Sequence, residues 1–209
     1  MIIRLYVKMI AIRFIVIFFI FIFINLIIIL LVSSNLNNIK ILSVMGCLFS
    51  LCFIVALCFF PFPFQDELIN DMITNGEGLT NNIIPFKTIF YLIKDGIIYD
   101  TLLVAAYQLS GNVALFLPLG FSLFFLFDKK STLKPLLLII FVSISIEAFQ
   151  MLLNSILEIN YRAVDIDDII LNCIGGILGY YFGKFINNRI TNSISKKAKG
   201  LPDKIIKTH

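Results

Sequence analysis
The sequence holds a single histidine, His209, at its last position. A Ser-His-Asp triad, an HExxH zinc site and a phosphohistidine intermediate each need an internal histidine, so none of these fits the chain. Charge is scarce as well. Charged residues make up 14% and hydrophobic ones 59%, with a mean hydropathy of +0.98. Soluble domains run near 25% charged, so an ordinary soluble globule and a disordered chain are both excluded. No two of the four cysteines, Cys47, Cys52, Cys58 and Cys173, form a CxxC pair. All four lie in apolar stretches and read as small hydrophobic residues.

What the sequence does have is long apolar runs. Five approach the roughly 20 residues that cross a bilayer: Ile10–Val32, Ile41–Phe60, Thr101–Phe127, Leu133–Leu153 and Ile166–Ile186. The pattern predicts an all-α, polytopic membrane helix bundle of about five transmembrane helices, with no room for a second large domain. Arg4 and Lys8 precede the first run and Arg13 lies at its start, so it resembles a signal peptide. Its apolar part is longer than the usual signal core and no A-x-A site follows, so it reads as an uncleaved anchor.

The chain divides into 1–60, with two hydrophobic spans; 61–100, an acidic, amphipathic extracytoplasmic segment; 101–186, a three-helix core; and 187–209, a basic cytoplasmic tail expected to fray. The net charge of +4 does not indicate nucleic acid, because no binding-fold pattern accompanies it. Positive charge gathers at Lys129–Lys134 and from Lys184 onward, as in cytoplasmic flanks. That bias places the C-terminus inside. Five spans would leave Arg4, Lys8 and Arg13 outside, a conflict that disappears if the first run does not cross.

Polar residues interrupt the last three runs. Gln108 and Asn112 lie in the third, Glu147 and Gln150 in the fourth, and Asp165, Asp167, Asp168 and Asn172 at the start of the fifth. Such groups in lipid cost free energy and are candidates for function. At 1.5 Å per residue, Asn112, Glu147 and Asn172 fall about 22, 18 and 21 Å from the inner edge. Three antiparallel helices thus carry an amide, a carboxyl and an amide to one level in the outer half of the membrane. Glu147 and Gln150 share a helix face, as do Asp168 and Asn172. Arg162, in the short outer connection, is within reach of Glu147 or Asp165 as a charge partner. Interhelical glue is the competing reading of the same groups. Gly175, Gly179 and Gly183 recur every fourth residue and form a face for close helix packing. Pro118 and Gly120 bend the third helix or shape a cavity beside it.

These residues resemble the VanZ-like family, named for a membrane protein of teicoplanin resistance. The likeness rests on Asn82 to Ile89 (NIIPFKTI), Gly111 to Phe121 (GNVALFLPLGF), Glu147-x-x-Gln150, and Arg162-x-x-Asp165-x-Asp-Asp168-x-x-x-Asn172-x-x-Gly-Gly176-x-x-Gly179. It covers roughly residues 80–183. It implies a bacterial integral membrane protein, with the family's polar positions at Asn112, Glu147, Gln150, Arg162, Asp165, Asp168 and Asn172. Three functions stay open. An outward polar site could bind a membrane lipid or lipid-linked envelope molecule through Asn112, Gln150 and Asn172. An intramembrane enzyme could act on such a lipid, with Glu147 as acid or base, Arg162, Asp165 and Asp168 as catalytic partners, and a divalent cation on the two aspartates. No cofactor is otherwise evident. A small transporter or structural bundle is the third.

Overall fold
The computed structural model describes residues 38–60, 62–63, 66–75, 78–127 and 132–199. The first hydrophobic run, Ile10–Val32, lies outside the described residues. Among the described residues six helices follow in order: α1 (Asn38–Phe59), α2 (Asp66–Asn75), α3 (Lys87–Ile98), α4 (Leu102–Leu126), α5 (Leu133–Leu157) and α6 (Ile166–Lys199). Among the described residues there is no strand, only one isolated parallel bridge between Asn82 and Asp165. Four helices, α1, α4, α5 and α6, are long and apolar enough to cross a membrane. The chain is an all-α, multi-pass membrane bundle.

Local chemistry sets the helix limits. α1 ends at Phe59, two residues before Pro61, whose ring disfavours helical backbone in the residue preceding it. Pro135 sits in the first turn of α5, where its missing N–H costs nothing. Asp167 and Asp168 occupy the first turn of α6, matching the positive end of the helix dipole. α6 continues to Lys199, so the region from Asn187 is not frayed from its start as its polarity suggests. The run of i→i−4 hydrogen bonds carries this polar segment on beyond the apolar part of the same helix. The connection between α1 and α4 is likewise structured, by α2 and α3.

The most extensive helix contact joins α4 and α6; α1 packs on α4, α5 packs on α6, and α1 barely meets α5. Glycine makes the first contact possible. A Cβ at Gly175 would overlap the Val113 carbonyl, one at Gly179 the Leu117 carbonyl, and one at Gly120 the Gly176 carbonyl. The two backbones therefore touch directly. In lipid, where tails are as apolar as side chains, such close packing replaces the hydrophobic drive. Phe124 stacks edge-on against Tyr180 at 5.4 Å farther along the same seam. Leu115, Phe116, Leu119, Leu123, Ile139 and Ile146 fill the core with Cys47 and Ile54 of α1. Apolar residues such as Leu103, Phe141 and Phe182 stay exposed on the spans, as lipid-facing side chains do.

Gly179→Leu should separate α4 from α6. Overpacking usually costs 1–3 kcal/mol, and here the obstacle is backbone, so about 3 kcal/mol or more is expected. A denaturant unfolding curve in detergent micelles checks it, with Gly111→Leu, a position with open space around its Cβ, as the neutral control.

Candidate functional site
The buried face of α5 changes character along its length. Pro135 and Ile139 give way to Ser143, Glu147, Gln150 and Asn154, all buried. Steps of four, three and four residues keep these polar groups on one stripe of the helix. The stripe faces the start of α6 and the segment 159–165 before it, so one end of the bundle has a polar interior. That end also holds α3, the C-terminal end of α1 and the beginning of α4.

Two rungs join α5 to α6. On the inner rung the Asn172 amide donates to the Ser143 hydroxyl at 3.2 Å. On the outer rung the Asp165 backbone N–H donates to Glu147 Oε2 at 2.9 Å. Ser143 and Glu147 are one turn apart on α5, and Asp168 and Asn172 one turn apart on α6, so Glu147 and Asp168 share the outer rung. From α4, the Asn112 amide donates to Asp168 Oδ1. The structure thus brings Asn112, Glu147, Asp165, Asp168 and Asn172 together. Gln108, by contrast, is exposed.

The aspartates divide the work. Asp165 Oδ1 accepts from the Asn82 amide and from the Asp167 backbone N–H, each at 2.8 Å. Asn82 also pairs by backbone across the same place: its N–H donates to the Val164 carbonyl at 2.8 Å, and the Ile166 N–H donates to its carbonyl at 3.0 Å. Asp167, fully buried, turns its carboxylate onto α3, where the Phe86 N–H donates to Oδ1 and the Ile89 N–H to Oδ2. A carboxylate at a helix N-terminus satisfies its free N–H groups and meets the positive dipole end. Phe86 takes a left-handed φ of 64° there, a backbone state that a non-glycine residue holds only when its surroundings require it. Asp165 and Asp167 are therefore occupied in pinning the 79–89 segment to the head of α6.

Arg162 pairs with neither Glu147 nor Asp165. Its guanidinium donates to the Phe60 carbonyl at 2.7 Å, at the end of α1. Asn154 holds the Arg162 backbone, donating to its carbonyl at 2.7 Å. Gln150 also reaches α1, donating to the Cys58 carbonyl at 3.2 Å. Gln150 Oε1, Asn172 Oδ1 and the Tyr161 hydroxyl are buried without partners. Burial pushes the Tyr161 phenol above its usual pKa, with the Arg162 charge opposing. Among the described residues, no three His, Cys, Asp or Glu side chains are grouped to hold a metal ion.

Sequence reasoning passed over Asn154 and the capping role of Asp167, and met Asn82 only inside a family motif. Asn154 was findable, since it extends the Ser143–Glu147–Gln150 spacing by one more turn. The Asn82 and Asp167 contacts span about eighty residues and leave no periodic signal.

The family model described as VanZ/LLP1 matches residues 47–187. No match was found among curated proteins or among solved structures.

Asp167→Ala should leave two N–H groups at the head of α3 without their acceptor. Hydrogen bonds to a charged group contribute about 1.5–3 kcal/mol, so amide exchange at Phe86 and Ile89 should accelerate at least about tenfold. Exchange in the Gly175–Gly183 seam should stay unchanged.

Proposed function
Because the chain belongs to the VanZ/LLP1 family, we propose that it is a cell-envelope protein of the bacterial cytoplasmic membrane that lowers susceptibility to teicoplanin-type lipoglycopeptides. Its outward-facing polar site engages a membrane lipid or lipid-linked envelope molecule, and its C-terminus is cytoplasmic. The observation that carries this reading is the polar stripe of α5 opposite the head of α6. Gln150 Oε1 and Asn172 Oδ1 stay unsatisfied within it. An unpaired acceptor in a low-dielectric interior is costly and is relieved by a ligand that donates hydrogen bonds.

A second reading has one specific observation in its favour. Only Oε2 of Glu147 is bonded, so the carboxyl retains an oxygen for proton transfer beside Asp168. In that reading Glu147 is the acid or base of an intramembrane enzyme acting on a lipid-linked precursor, assisted by a divalent cation. Turnover that rises with added Mg²⁺ or Mn²⁺ favours it over passive binding.

Glu147→Gln keeps an acceptor for the Asp165 N–H, so the variant should reach wild-type membrane levels. In a susceptible Gram-positive host, wild type should raise the inhibitory concentration of teicoplanin more than that of vancomycin. Glu147→Gln should lose that protection. Equal protection by both proteins reduces Glu147 to packing, and protection by neither removes the resistance role.

A further inference from the structure
A groove of about 450 Å³ opens between α1 and α5, the two spans that barely touch. We propose that it holds an acyl chain of a membrane lipid whose phosphate sits at Arg162. The proposal rests on the lipid-engaging reading above and adds a place and a head-group chemistry to it.

The walls are apolar. Leu51, Ile54 and Phe59 line one side, and Val142, Ile146 and Phe149 face them. Ser145 also lines the groove, but its hydroxyl is turned back onto the Phe141 carbonyl at 2.7 Å. No wall residue therefore asks for a polar ligand. From Phe141 to Leu153 the groove follows α5 for about 18 Å. That is close to one leaflet of a hydrocarbon core about 30 Å thick, the depth a single lipid chain reaches. The groove opens on the lipid-facing side, where Phe141 and Phe149 are exposed.

Charge selects the head group. The groove ends at Phe59, and the Arg162 guanidinium is fixed on the carbonyl of Phe60, the next residue. That bond uses part of a guanidinium with five donors, leaving others for a phosphate at the mouth. Glu147 does not compete for the place. It lies about 100° around α5 from Ile146 and turns toward α6.

The test uses the full chain in detergent micelles, with phosphatidylglycerol or diacylglycerol of the same acyl chains, and retained lipid read by native mass spectrometry. Wild type should retain phosphatidylglycerol about tenfold better than diacylglycerol, the effect of one charge-assisted hydrogen bond. Arg162→Gln should erase the difference and Arg162→Lys should keep part of it. Ser145→Phe, which fills the groove and leaves Arg162 untouched, should lower retention of both lipids. A benzophenone amino acid at position 145 should cross-link to lipid. Equal retention of the two lipids by wild type, unchanged retention in Ser145→Phe, or a cross-link to the chain's own hydrophobic run Ile10–Val32 each overturns the proposal. Lost retention with teicoplanin protection intact rejects the groove alone. Retention without protection supports the groove and rejects the resistance role.

Discussion
A carboxylate inside a membrane must find donors, and the arrangement at the head of α6 follows from that requirement. Three aspartates and Glu147 meet where water is scarce. Asp165 and Glu147 use backbone N–H groups, Asp167 uses the free end of α3, and Asp168 uses the Asn112 amide. Each solution recruits a different element: the 79–89 segment, α4 or α5. Satisfying the charges and assembling that end of the bundle are one event. Removing the Asn112 amide would leave the Asp168 carboxyl without that donor, which costs more than the bond contributes.

The glycine seam makes this arrangement possible. Only where α4 and α6 touch backbone to backbone is Asn112 near enough to serve Asp168. Bulkier residues at Gly175 or Gly179 would move α6 outward and strand the carboxyl. The seam is apolar and the cluster polar, but each positions the other. α1 stands outside this scheme. It leans on α4, meets α5 only weakly and leaves the groove between them.

Much of the fold was legible in the chain. Four of the five apolar runs correspond to α1, α4, α5 and α6, because hydropathy over twenty residues reports directly on where a segment lies. The depth arithmetic sets Asn112, Glu147 and Asn172 at one level; in the structure Asn112 and Glu147 bond residues 165–168, while Asn172 bonds Ser143 one helical turn away. Partner choice was not legible. Arg162 reads as a charge partner for Glu147 or Asp165 by proximity in sequence, yet it bonds a backbone carbonyl at the end of α1. That contact joins residues about a hundred positions apart and leaves no periodic signal. The order of the tail was hidden as well: composition favoured fraying, but a helix already formed within the span carries it to Lys199.

The positions of the paired groups also fix a sequence in time. Asn82, Asn112 and Glu147 all find their partners within residues 165–168, at the head of α6, which leaves the ribosome after the other described spans. Until then α4 and α5 enter the bilayer with their amide and carboxyl groups unmatched. Their insertion must be driven by apolar length alone, in keeping with the abundance of leucine and phenylalanine in both helices. α6 arrives as the counterpart that closes a half-finished assembly, so a nascent chain halted before Asp165 would be held in the membrane without its polar end built.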